Sequence, residues 1–167
     1  MKWIARAAAL AIAFAMAFWI WRTFFPSPEA LIRKRLNSLA ACASFTQGQS
    51  DLSKMIGAQR VPGFFAPDVN VIIDVPAGRL RHSFADRDEI ARAALGTRQQ
   101  PSLSVKFPDI NVTVNPDGRT AMADATVIAR VGGERDDIVQ ELQISFVLSN
   151  GDWLITGIQS AGPVSLH

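Results

Sequence analysis

The sequence has no tyrosine, a single cysteine (Cys42) and only two histidines, His82 and His167. A lone cysteine excludes an intramolecular disulfide framework and any multi-cysteine zinc site. Two histidines are too few for a histidine-rich metal centre. Gly132-Gly133 lacks the spacing and following helix of a phosphate loop, so it reads as a hairpin turn. No metal and no cofactor are expected. Charge of one sign is also missing. Of 17 basic residues, Lys2, Arg6 and Arg22 lie in or beside an apolar N-terminal stretch, which leaves residues 26–167 with 14 basic against 15 acidic side chains. The one basic run is Arg33-Lys34-Arg35, and no basic stripe for nucleic acid can be built from it.

What the chain does have is a long apolar start. Every residue from Ala7 to Trp21 is apolar. Fifteen helical residues reach about 22 Å, short of a hydrocarbon core of about 30 Å. The gap closes if Arg6 and Arg22 extend toward the headgroups and Trp3, Trp19 and Trp21 sit at the two interfaces. This predicts an uncleaved single-pass anchor over residues 1–25 and one folded domain over 26–167. The competing reading is a cleaved signal peptide, with Lys2 and Arg6 as its n-region and Ala13-Phe14-Ala15 or Ala15-Met16-Ala17 as its cleavage site. Cleavage there leaves Phe18-Trp19-Ile20-Trp21 in water. Flanking positive charge is nearly tied, and discounting Arg33–Arg35 as part of a folded helix leaves the C-terminal domain on the exported side.

Residues 26–167 suffice for one domain and not for two. Ser27 is a suitable N-cap with Pro28 at the first helical position, and Ile32, Leu36, Leu39 and Ala43 recur at helical spacing, predicting a helix over about 28–44. Arg33 and Lys34 fall away from that stripe and read as a solvated face. Ser50 or Asp51 caps a second helix through Leu52, Met55, Ile56 and Gln59 to near Pro62, with Phe64 and Phe65 packed under it. Val69–Val75 and Arg79–Phe84 alternate as strands around Pro76-Ala77-Gly78. Asp86 and Glu89 have capping-box spacing for a third helix ending at Gly96. From residue 103 onward the chain reads as meander: a strand through Ile110, Val112 and Val114, then strands over 121–131, 138–148 and 153–159. Helices and strands segregated in this way predict an α+β class with helices on one face of a curved antiparallel sheet.

This order resembles the nuclear transport factor 2-like (NTF2-like) superfamily, also called SnoaL-like or ketosteroid isomerase-like. The resemblance rests on Phe64-Phe65-Ala66-Pro67-Asp68-Val69, on Asp86–Leu95 and on Asn150-Gly151-Asp152-Trp153-Leu154-Ile155, and it spans about residues 28–160. It implies a cone-like curved sheet packed with three helices. Its members include isomerases, cyclases, dehydratases, epoxide hydrolases and domains that only bind proteins or small molecules. An anchor followed by such a domain is also similar to the periplasmic assembly component of type IV secretion systems, which implies a bacterial inner membrane with the domain in the periplasm.

The isomerase-like members use a carboxylate at the end of the first strand as base, with a tyrosine and a protonated acid as oxyanion hole. This chain has no tyrosine, and an ungapped match puts the base position on Ile73 and the second acid near Ile144. Asp74 then points to the opposite face unless a bulge turns it inward. His82 alternates with Leu80 and Phe84, which places an imidazole on an apolar face, with Asp124 as one possible partner. Equally, Arg130 is placed to pair with Asp124 on an exposed ridge. Cys42 reads as a buried, inert thiol. The expected role is non-catalytic binding of a protein partner or a small apolar ligand. The alternatives are an isomerase- or dehydratase-type enzyme using His82 or Asp74, and an assembly factor of a bacterial envelope complex. Gln140, Glu141, Gln143 and Ser145 make one sheet face moderately polar, and a homodimer through that outer face is expected.

Overall fold

The computed structural model describes residues 26–75, 80–132 and 137–161. The predicted anchor, residues 1–25, lies outside them, as do the side chains at positions 74, 75 and 80–82. Among the described residues no helix is long and apolar enough to cross a membrane.

Three helices precede or interrupt a six-stranded sheet: α1 (Pro28–Ala43), α2 (Asp51–Arg60), β1 (Phe65–Val75), β2 (Leu80–Phe84), α3 (Arg87–Gly96), β3 (Leu103–Val114), β4 (Thr120–Val131), β5 (Ile138–Ser149) and β6 (Asp152–Ser160). The predicted caps are all used. Ser27 and Ser50 accept from Ala30 N and Ser53 N, each at 3.3 Å. Asp86 accepts from Glu89 N at 2.7 Å while Glu89 reaches back to Ala85 N at 2.8 Å, so donors at the start of α3 are satisfied from both sides.

The strand order is β2-β1-β6-β5-β4-β3, with β1 parallel to β6 and every other pair antiparallel. One face carries the core. Ala121, Ala123 and Ala125 of β4, Leu142, Ile144 and Phe146 of β5, and Trp153 and Ile155 of β6 are buried on it, and Ile32 and Leu36 of α1 close it with no exposed surface. Met122 and Asp124 alternate onto the other, solvated face. Register shifts between Lys106 and Asp109, between Ser145 and Phe146, and between Phe65 and Asn70 break the ladders where bulges add twist and bend.

Two readings are corrected. β1 begins at Phe65 rather than Val69, because the chain pairs with β6 through Phe65 and Ile155, skips over Pro67 in an irregular stretch and resumes at Asn70. The apolar positions of α2 do not form a buried stripe: Leu52, Met55 and Ile56 are 70%, 51% and 43% exposed, and Ala58 is the buried residue. The helix packs through its small residues, so the spacing identified a helix and mistook its inner side. Phe65 is buried in the core, whereas half-buried Phe64 lies under the Arg35 guanidinium, 5.0 Å from ring centroid to carbon.

Candidate functional site

The two positions that the resemblance marks for acid–base chemistry are both aliphatic. Ile73 packs against the core and Ile144 has no exposed surface. The register sets His82 across from Ile73 and Asp74 across from Arg81. No register shift falls between Val71 and Val75 in that pairing, and the side chains of Asp74 and His82 lie outside the described residues.

Asp124 is exposed on β4, four strand spacings from β2, roughly 19 Å along the sheet. The His82 side chain lies outside the described residues, so no contact with Asp124 is described. Nor does Arg130 take Asp124: it holds Asp137 with two hydrogen bonds, Nη2 to Oδ2 at 2.7 Å and Nε to Oδ1. Each partner shifts the other, the Arg130 guanidinium upward and the Asp137 carboxyl below the usual carboxylate range. Asp124 belongs instead to a chain of amides across the outer face, in which Gln159 donates to Gln143 at 2.7 Å and Gln143 donates to Asp124 at 3.4 Å. Among the described residues no three histidine, cysteine, aspartate or glutamate side chains gather as metal ligands would.

The residue that sequence reasoning missed is Arg98. It follows the end of α3 in a short 3-10 turn, Thr97–Gln99, anchored by Thr97 Oγ1 donating to Ala94 O at 2.9 Å. From there it reaches α1 and donates through Nη2 to the Cys42 carbonyl oxygen at 2.9 Å. α1 has no basic residue in its last turn, and Arg98 supplies the missing cation to its unpaired carbonyl end. The guanidinium lies 4.5 Å from the centroid of Phe45, a ring 3% exposed and fixed by backbone hydrogen bonds with Leu103 in both directions. Burial pushes the Arg98 pKa down from the ordinary arginine value.

Beside Arg98 is a cavity of about 190 Å³ walled by Val61, Phe84, Ile90, Ala94 and Leu103, where α3 faces the ends of α1 and β3. Cys42, half-buried against the core, is not in its wall and meets Arg98 through its carbonyl alone. A second cavity, of about 220 Å³, lies at the side of α1 between Lys34, Arg35, Phe64 and Trp153. Arg35 there donates to Gly63 O at 2.7 Å and meets Asp152 at 3.5 Å, so that cation has a carboxylate. Nothing local in Gly96-Thr97-Arg98-Gln99-Gln100 distinguishes Arg98 from a solvated loop residue; the only trace in the sequence is the helix end at Ala43 with no basic residue of its own.

No protein-family model and no curated protein matches the chain. Solved structures do. An NTF2-like protein of unknown function from Pseudomonas putida superposes with a TM-score of 0.59 at 12% identity, over 83% of this chain and 89% of that one. An uncharacterized protein with a cystatin-like fold from Caulobacter vibrioides gives 0.59 at 15%, over 80% and 89%. A provisionally assigned scytalone dehydratase from Novosphingobium aromaticivorans gives 0.57 at 16%, over 78% and 80%. The chain has the NTF2-like, cystatin-like α+β fold.

The join between α1 and α2 gives a direct prediction. A Cβ at Gly57 would stand 2.9 Å from the Cys42 carbonyl oxygen and 3.5 Å from Arg98 Nη2, and the first of these is backbone. Gly57→Ala is expected to lower stability although alanine is the better helix former by about 1 kcal/mol. Gly96→Ala, where the backbone is helical and a Cβ meets nothing within 4 Å, is expected to raise stability by about 0.4–1 kcal/mol. Urea unfolding of the two variants checks this, and equal midpoints for both would show that α2 shifts freely away from α1.

Proposed function

We propose that the chain is a membrane-anchored binding domain of the bacterial envelope, holding a small apolar ligand or a protein partner without acid–base chemistry of its own. One observation carries the reading: the two interior positions that an isomerase-like mechanism would need are Ile73 and Ile144, packed in the core with no charged neighbour between them in the ladder. The Novosphingobium likeness favours the enzyme alternative, in which His82 or Asp74 serves as base. The exposed row Leu52, Met55 and Ile56 favours the third reading, an envelope assembly factor that docks through its helices.

The apolar run from Ala7 to Trp21 supports a single span in the inner membrane with the domain in the periplasm. Exposed Met122 and Val139, beside the Gln159–Gln143–Asp124 chain, support the reading of a second copy on the outer sheet face.

Three outcomes are expected. The full-length protein stays in the membrane pellet after carbonate extraction and retains its N-terminus, whereas a soluble form beginning near Met16 or Phe18 would replace the anchor with a signal peptide. Light scattering is expected to give a dimer that Met122→Lys dissociates; a monomer at high micromolar concentration removes the dimer and leaves the fold intact. His82→Gln is expected to cost about 1–2 kcal/mol in thermal or denaturant melts. Turnover of a small ketone, epoxide or hydroxy acid that falls by roughly 10²–10⁴ in His82→Gln with an unchanged melt would establish the enzyme instead.

A further inference from the structure

α2 leaves its larger apolar side chains outside, and α1 meets them with an exposed stripe of its own. Away from the buried Ile32, Leu36 and Leu39, that stripe is Ala30, Lys34, Asn37 and Ala41, spaced by three or four residues and exposed throughout. A groove joins it to α2, with Ala41 on one wall and Ser53, Ile56 and Arg60 on the other. Leu52 and Met55 stand within about a turn of Ile56 on the same helix and are exposed with it. The helical layer therefore has a continuous outer side, turned away from the sheet, that carries three large apolar side chains together with the cations Lys34 and Arg60. An exposed patch of this kind marks an interaction surface.

Charge separates along the same direction. Residues 28–60, which form α1 and α2, hold five basic side chains against two acidic, whereas residues 103–160, which form β3 to β6, hold four against eight. α3 is balanced, two against two. The acid of α2, Asp51, already lies 3.9 Å from Lys54. The near-zero charge of the domain thus conceals a positive helical side and a negative sheet side, and an anionic surface attracts the first and repels the second.

The chain also limits how far these helices can stand from a bilayer. Pro26 and Ser27 alone separate residue 25, the end of the proposed anchor, from Pro28, a reach of about 11 Å at full extension. Ala41 lies about 20 Å farther along α1. An upright α1 would lift the groove that far from the lipid. With α1 lying along the surface, Lys34, Ala41 and the α2 row reach it together, because the stripe runs the length of the helix.

We propose that the outer side of α1 and α2 docks on anionic lipid of the bilayer that holds the anchor, with Lys34 and Arg60 at the headgroups and Leu52, Met55 and Ile56 in the interfacial layer beneath them. The proposal rests on the anchored reading above and specifies how the domain is held. It gives to lipid the row that the assembly-factor reading would give to a protein, and it turns the outer sheet face away from the membrane.

The test is quenching by lipid in the full-length chain, reconstituted in nanodiscs of mixed phosphatidylcholine and phosphatidylglycerol. Cys42 is the single cysteine, so a Cys42→Ser background carries one fluorophore at a time, on Leu52→Cys in the row or on Val139→Cys of the outer sheet face. The Cys42 carbonyl that Arg98 meets is backbone and is kept. With a nitroxide on the lipid near its headgroup, emission from position 52 is expected to fall roughly twofold or more and that from position 139 to stay unchanged. The fall at position 52 is expected to shrink in phosphatidylcholine alone and in the double variant Lys34→Glu/Arg60→Glu, with the circular dichroism spectrum preserved. Equal quenching at both positions, in a chain that stays with the nanodiscs, would overturn the docking face and leave the anchor. Loss of the chain from the nanodisc fraction would overturn the anchor and the face with it. Protection of position 52 from iodide without quenching by lipid would overturn lipid contact in favour of a second copy on the row. Quenching indifferent both to lipid charge and to the two substitutions would overturn the recognition of anionic lipid by Lys34 and Arg60.

Discussion

The structure depends on one packing event, the seating of α1 against the apolar face of the sheet. Ile32 and Leu36 lose all solvent contact in the same cluster as Ile144, Phe146 and Ile155. Burying side chains of this size is worth about 1.5–3 kcal/mol each before entropy is counted. The three alanines of β4 keep that face low, which limits how much bulk a helix has to clear there. Once α1 is seated, its carbonyl end projects at Cys42, and the rest of the helical layer is arranged around that end. α2 crosses it at Gly57, Phe45 leaves it to pair with β3, and Arg98 arrives from α3 to meet the exposed carbonyl.

That junction explains why the neighbouring elements look as they do. Gly57 is the residue in α2 with no side chain to keep the helix away from the Cys42 carbonyl. α2 consequently approaches α1 through its small residues and turns Leu52, Met55 and Ile56 outward. A helix of ten residues with so little apolar burial contributes mainly by covering the end of α1. Lys54 adds to the same corner, its ammonium 5.7 Å from the Phe45 ring that Arg98 also faces. Two cations on one aromatic ring raise the electrostatic demand of the corner, and the nearest acid, Asp51, is 3.9 Å from Lys54 and exposed.

Much of the fold was legible because its local signals agree with its tertiary demands. Period-two alternation on β3 to β6 coincides with one buried and one solvated face, and Ser27, Ser50 and the Asp86–Glu89 pair sit where their side chains meet orphan N–H groups. The turn at Asn150-Gly151 was legible for the same reason, since both residues adopt positive φ, 52° and 87°, as a tight hairpin of this kind requires. Illegible features are those that distant contacts decide. Pro67 hides the start of β1, because pairing resumes beyond it under the direction of β6. The spacing of Leu52, Met55 and Ile56 is helical whichever side faces inward, and the direction was decided by Gly57. Arg98 is separated from Cys42 by 56 positions, and no periodicity within the loop signals a contact at that range.

The same distinction bears on function. In this fold a catalytic reading would be written into strand positions, where alternation makes inward residues recognisable, and those positions here are isoleucine. Charge reaches the helical layer by another route, from a loop after α3, and among the described residues no acid pairs with that cation. A lone guanidinium is a poor general base, since it stays protonated throughout the physiological range, and it holds no lone pair available to take a proton. Along its strands the described interior is therefore apolar, and Arg98 brings charge to its α3 end through a contact with the Cys42 carbonyl that no strand position supplies.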